Sequence, residues 1–309
     1  KFYVSNILYA SIGHGGGTGL SGKTDNYDER GQYNLQGAYN SNSNNIDALY
    51  SDVENKAETY LRSSINNHYW YGGLSTLNYQ VSDEISLSGG LDMRYYKGQH
   101  YREVYDLLGA DYAIDENSDV QLSKIKREGD IVGYHNDGLV KWSGVFSQAE
   151  YSNGILSTFF NISASNSASK RIDYFKRKDI VIDGIVFENA VGDSTYTVYT
   201  YELENGDIIE MYNENPNELA PFLISADKYL TSSIFTHEGE EYTINSTEAR
   251  AAETDWKWIR GYTIKTGANL NLDEYNNVFF NVGYISKAPR FNNVYDYSNQ
   301  LFRDIRNEE

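Results

Sequence analysis

The chain contains no cysteine and only 3 proline and 2 methionine residues in 309. Without cysteine, disulfides and thiolate metal sites are excluded. A protein routed through an oxidising periplasm gains by lacking stray thiols. No run of 18 apolar residues occurs, which excludes a transmembrane helix. Basic residues are in deficit: 26 Lys and Arg face 44 Asp and Glu, a net charge of −18. That argues against nucleic acid as a partner, since nucleic acid needs a basic footprint. No Ser-His-Asp arrangement or G-x-S-x-G elbow is present, and no pair among the many carboxylates stands out, so the expectation is a non-enzyme. No signal peptide is visible. The chain opens with Lys1-Phe2-Tyr3 in a strand-like run and stops at Arg306-Asn307-Glu308-Glu309. Both ends read as cut, within a larger protein.

What is abundant is tyrosine, 29 residues, with 26 Gly and 12 Phe. Aromatics with few Leu and Met read as β-rich, because they fit a pleated surface. Apolar-patterned runs meet across very short polar turns at Ser82 to Glu84, Asn153-Gly154 and Asp273 to Asn276. Between them lie long polar connections: Gly13 to Asn66, Gln99 to Gly138 and Ser169 to Thr254. Tight turns at one end and long loops at the other give the strands a polarity. The fold class expected is all-β: an antiparallel transmembrane β-barrel portion with short periplasmic turns and long extracellular loops. The three loops hold 33 of the 44 acidic and 15 of the 26 basic residues, so the strand framework is neutral. Such loops repel anions and attract cations, or simply keep an apolar barrel soluble in transit.

Seven strands are predicted, at 3–13, 67–81, 85–98, 139–152, 155–168, 255–272 and 277–290. Period-2 patterning places Ile85, Leu87, Leu91, Leu270, Val278 and Phe280 on a lipid face. Asp92, Arg94, Lys265 and Asn281 fall on a lumen face. In a soluble sandwich the same split would separate core from solvent. The run 139–152 is ambiguous, because Trp142 and Phe146 share a face with Gln148 and Glu150. Within the loops, apolar residues at helical spacing after Asn44-Asn45 predict a helix over 45–62. Asn205-Gly206 predicts a type I′ hairpin between 195–203 and 207–212.

Residues 17–24 (GTGLSGKT) match the P-loop pattern G-x-x-x-x-G-K-[ST] and follow a strand. The helix that the pattern requires is missing, since Asp25 to Gln32 has no apolar stripe. Lys23 and Thr24 are therefore expected to bind no nucleotide. His14, His68, His100, His135 and His237 show no ligand spacing and read as solvated loop residues, although His14, His100 and His135 each sit near a strand's upper end. No metal and no cofactor is expected.

The most specific stretch is 92–112 (DMRYYKGQHYREVYDLLGADY). With 8–19 (LYASIGHGGGTG), 140–151 (VKWSGVFSQAEY), 170–175 (KRIDYF) and 284–291 (YISKAPRF), it resembles the barrel region of TonB-dependent outer-membrane receptors of Bacteroidota. These receptors often carry a carboxypeptidase-regulatory-like N-terminal domain. With their strands, the matching pieces cover somewhat over half the chain; 178–253 matches nothing in that family. The resemblance implies a partial receptor barrel over 1–309, from a barrel of about 22 strands filled by a plug. It implies import of a scarce nutrient (metal chelate, cobalamin or glycan), energised by the TonB complex, at the Gram-negative cell outer membrane. Implied partners are outer-membrane lipid, the ligand, and TonB through an N-terminal part absent here. No TonB box, plug or closing C-terminal aromatic strand is present, so no residue here is assigned a TonB contact. The alternative is a β-rich surface glycan-binding protein without transport, with Tyr and Trp as sugar platforms.

Ligand-contact candidates are Tyr95, Tyr96, His100, Tyr101, Arg102, Trp142 and Arg290, at the outer strand ends. Amphipathic aromatics beside charges suit a wet recognition surface. The competing role is an interfacial girdle, with Arg102-Glu103 bracing a loop. Direction separates the two, since girdle rings face lipid and capture rings face inward.

Overall fold

Seven long strands run antiparallel, each hydrogen-bonded to the next in chain order. They are β1 (Phe2–Gly22), β2 (Thr59–Gln80), β3 (Ile85–Asp106), β4 (Ile131–Ser152), β5 (Leu156–Asp173), β6 (Lys257–Asn271) and β7 (Asn277–Ser286). The computed structural model describes residues 1–289, 291 and 294. Among these residues β1 and β7 are not paired with each other, so both end strands keep a free edge.

The tight turns fall where the sequence places them, and each has a side-chain acceptor near its start. Ser82 Oγ accepts from Ile85 N at 3.2 Å. Asn153 Oδ1 accepts from Leu156 N at 2.8 Å, with Gly154 at φ 84°. Asp273 Oδ1 accepts from Asn276 N at 2.9 Å. Such bonds mimic a backbone turn and favour these residue types.

Five strands outrun their predicted upper ends, with β1 continuing to Gly22, β2 beginning at Thr59, β3 reaching Asp106, β4 beginning at Ile131 and β5 reaching Asp173, while β6 begins at Lys257, two residues inside its predicted start. Their polar upper stretches hold together by main-chain ladders, which need no apolar pattern. β7 stops at Ser286 rather than reaching 290. Pro289 just beyond has no N–H to donate to a ladder.

Directly paired residues share a face, so the register defines two surfaces. One row links Ser75, Leu91, Val145, Ala164, Tyr262 and Ser286. Ile85, Leu87, Leu91, Leu270, Val278 and Phe280 all share that face. Asp92, Arg94, Lys265 and Asn281 all lie on the other. The division read from the sequence therefore holds across the sheet. Trp142 and Phe146 belong to the polar face, and Val145 and Ala149 to the apolar one.

The apolar face is bare. Leu8 is 88% exposed, Val145 53%, Phe280 59% and Val282 61%. The two buried apolar clusters lie at the loop end instead. One joins Tyr60, Val104, Leu107, Ala113 and Val132; the other joins Ile180, Val191, Ile244 and Ala249. A soluble sandwich would bury this face under a second sheet about 10 Å away.

The tight turns are staggered. Measured down from the row above, the β2–β3 turn centre lies about eight residues away and the β6–β7 centre about twelve. That is about four residues over four strand steps. With a rise of ~3.4 Å and a spacing of ~4.8 Å, the strands lean about 35° from the perpendicular to the line of turns.

The loops carry their own structure. The expected helix over 45–62 does not form. The helix is α1 (Leu35–Asn42), N-capped by Asn34, whose side chain accepts from Gly37 N. Leu49 and Val53 are 80% and 82% exposed, so no packing partner rewards their periodicity. Asp47 and Ser51 instead bond to nearby backbone N–H groups, which competes with helix. Asn42 is fully buried and its Nδ2 lies 2.7 Å from Thr59 O and 3.0 Å from Leu107 O, fastening α1 to the strand tops. The hairpin at Asn205-Gly206 forms, between Asp193–Glu202 and Ile208–Tyr212, and Leu223–Ser232 extends it to a three-stranded sheet; its turn is not type I′, because Gly206 has φ 83° but Asn205 does not take a positive φ, and Gly206 N donates to Leu203 O at 2.8 Å. Arg127 bridges to Glu54 at 2.9 Å and Lys176 to Asp119 at 3.1 Å, linking successive loops.

Candidate ligand-binding cleft on the polar face

Period 2 sends neighbours such as Tyr95 and Tyr96 to opposite faces, and this sorts the candidate residues. Tyr96, His100, Arg102 and Trp142 lie on the polar side, and Tyr95 and Tyr101 on the apolar side. Tyr101 packs against His135 at 5.5 Å between centroids, near the loop end. Arg290 lies outside the described residues.

The most crowded part of the polar face centres on two glycines. Gly98 of β3 and Gly138 of β4 are direct partners, flanked on the same row by His68 of β2 and Arg171 of β5. With two missing side chains, rings from the rows above and below lean over the gap. A Cβ on Gly98 would sit 2.5 Å from Tyr96 Oη and 2.8 Å from His100 Nε2. His68 Nδ1 and Tyr96 Oη share a hydrogen bond of 2.5 Å, and His100 Nδ1 lies 2.7 Å from Asn66 Oδ1. The His68 and His100 rings meet edge to face at 6.0 Å, and Trp70 meets Tyr96 at 5.3 Å.

A cleft of about 700 Å³ opens here, lined by Tyr96, His100, Tyr134, Asn136, Gly138, Arg171 and Phe291. The Phe291 ring stands 3.2 Å from where a Gly138 Cβ would be. The Arg102 guanidinium stacks on Tyr134 at 4.8 Å, just where the β3–β4 register shifts. The cleft thus offers ring faces, imidazole and amide groups, and the buried Arg171. That mixture suits a solute with both flat apolar surface and polar edges.

Lower on the same face, Asp92 is buried and paired with Arg94, whose Nε donates to Asp92 Oδ1 at 3.1 Å. The Arg94 guanidinium lies over the Trp142 ring at 4.8 Å, and that ring covers Gly144. A second cleft of about 670 Å³ lies lower still, lined by Gln148, Glu150, Phe159, Asn269 and Asn281 among others.

On the opposite side, at the loop end, Asp137 is fully buried. Lys97 meets it at 2.8 Å, and Tyr174 donates its hydroxyl to it at 2.9 Å. Burial and this bond push the Tyr174 phenol up to about 12.

His68, Trp70, Tyr134, Asn136 and Arg171 were not candidates from the sequence. His68 and His100 are 32 positions apart and meet only through the β2–β3 register; no local spacing announces them. The strand tops also carry His14 and His135, but these lie on the apolar side, away from His100. These four histidines are strand residues packed against other rings, rather than solvated loop residues. No group of three or more metal-ligating side chains occurs among the described residues.

The P-loop-like run is extended. Gly17 to Gly22 belongs to β1 and pairs with Thr59 to Ser64. No helix begins at Lys23-Thr24, and α1 starts only at Leu35. The run therefore lacks the turn and helix N-terminus that cradle a phosphate.

Comparison with family models, curated proteins and solved structures finds no match to the chain.

Proposed function

We propose that the chain forms one sector of a transmembrane β-barrel in a Gram-negative outer membrane. The barrel is proposed to be a TonB-dependent receptor that imports a scarce solute such as a metal chelate, cobalamin or glycan. One observation carries the membrane reading: seven adjacent strands present a continuous apolar face that no other layer covers among the described residues. Contiguous exposed apolar surface of this extent marks a membrane or partner contact. Two features support lipid as the contact. Every tight turn lies on one edge, and the lean of about 35° falls in the range of membrane barrels. The free edges of β1 and β7 would be met by further strands of the barrel wall. The polar face would line the lumen, with the Gly98–Gly138 cleft as a stopping point for the solute. The TonB part of the proposal rests on the sequence resemblance alone.

The test is reconstitution of the full-length protein into lipid vesicles. Insertion resistant to carbonate extraction, with protease access to the long loops from one side only, is expected. A chain that stays monomeric and folded in buffer without detergent or lipid would remove the membrane reading. It would favour the glycan-binding alternative instead.

A further inference from the structure

The apolar face is almost free of charge. On β1, β2 and β7 it carries none, and its lower edge ends in turns whose charged residues, Asp83, Glu84, Asp273 and Glu274, are all acidic. Within the seven strands, cations appear on this face only in a band toward the loop end, spread over three same-face rows: Lys97 on β3 and Lys170 on β5 in one, Lys141 on β4 in the next, and Arg260 on β6 in the third. Two of the four are neutralised. Lys97 is paired with Asp137 at 2.8 Å and Lys170 with Glu253 at 3.0 Å. Lys141 and Arg260 are exposed and have no acidic partner among the described residues.

These two cations flank β5. Lys141 pairs with Ala168 and Arg260 with Asn166, so they stand roughly 10 Å apart across the sheet and roughly 7 Å along it. Lys and Arg side chains are long enough for both heads to converge on one group between them. Lys141 Nζ already leans over the Trp256 ring at 4.1 Å, and Trp258, 54% exposed, shares the row of Lys141. Between them, Asn166 Oδ1 is buried and accepts no hydrogen bond. Directly below come Val145, Ala164, Tyr262 and Ile264, with no charge.

We propose that this patch binds the phosphate headgroup of an anionic lipid on the outside of the wall. Its acyl chains lie on the apolar face beneath. The inference rests on the membrane reading above and adds a ligand to it. A guanidinium and an ammonium that can both reach one point match a phosphate, the guanidinium through its planar fork. Indole rings suit the polar–apolar boundary of a bilayer. Free phosphate is the poorer occupant, because a chain of charge −18 repels small anions and they gain nothing from the apolar floor.

The experiment uses the full chain in phosphatidylcholine nanodiscs carrying a minor fraction of phosphatidate, with retained lipids read by native mass spectrometry. Phosphatidate should be enriched roughly tenfold over its bulk share, as two membrane-facing cations warrant. Lys141→Gln with Arg260→Gln should abolish the enrichment, and Lys141→Arg with Arg260→Lys should keep it. Lys228→Gln, in an exposed loop strand, should change nothing. Equal enrichment in the Gln pair overturns the proposal, as does displacement of phosphatidate by millimolar inorganic phosphate. A protein that inserts without lipid preference refutes the site alone; one that does not insert refutes the membrane reading as well.

Discussion

Glycines on the polar face differ in what surrounds them, and this separates their substitutions. At Gly98 an added methyl meets only the tips of Tyr96 and His100, which can swing aside. At Gly90 it would run into the carbonyl oxygen of Ser75 and the Phe146 ring, and a ladder carbonyl cannot move without breaking its bond. Gly90→Ala should therefore cost about 1–3 kcal/mol, and Gly98→Ala less than about 1 kcal/mol. Urea unfolding in lipid vesicles measures both, and equal costs would contradict the packing described. Gly98→Ala should still disturb the cleft by breaking the bond between His68 and Tyr96. A second residue-level expectation concerns Tyr174. Its phenol is raised to about 12, so the folded chain holds it neutral. That contribution to stability is complete below the ordinary tyrosine value of about 10 and fades as pH climbs from there to about 12. Tyr174→Phe should flatten the loss of stability across that window and remove one late-titrating phenol from an ultraviolet titration. Titration curves that coincide for the two proteins would refute the assignment.

At the scale of the strand, face decides tolerance. Ile264 and Thr263 are neighbours on β6 with opposite directions. Ile264→Arg should cost about 2–4 kcal/mol in a bilayer, while Thr263→Arg on the polar face should cost under about 1 kcal/mol. Folding titrations in vesicles would show the contrast; a reversed order would mean the faces are exchanged. The strands were legible because a period of two and three polar turns fix both direction and register. Their upper ends were not legible. Gly15, Gly16 and Gly17 pair with Asn66, Ile65 and Ser64 through main-chain groups, and glycine carries no facing signal. The segment 45–62 misled for the opposite reason, since its spacing fits a helix but nothing stands where that helix would pack. The cleft was half legible. Tyr96, His100 and Arg102, whose guanidinium stacks on Tyr134, were visible as aromatics and charges near strand ends, whereas Trp142 sits lower on the face with Arg94. Their partners His68, Asn136 and Arg171 came only with the register, because contacts between strands are set by pairing and not by local sequence.

At the scale of the molecule, the lean of the sheet is the measurable quantity. Polarised infrared spectroscopy of the reconstituted protein on a supported bilayer should give a mean strand tilt of about 35° from the membrane normal. Strands lying in the membrane plane would be incompatible with a spanning wall. The wall also has a property that its parts lack. From β2 to β5 the ladder runs past the Gly98–Gly138 row on every strand, with its bonds continuing above and below, while β6 stops two residues short at the Lys257–Ser169 pair. Strands ~4.8 Å apart leave no gap through which a solute could slip sideways. A molecule resting over those glycines would therefore leave along the face or away from it, never through the wall.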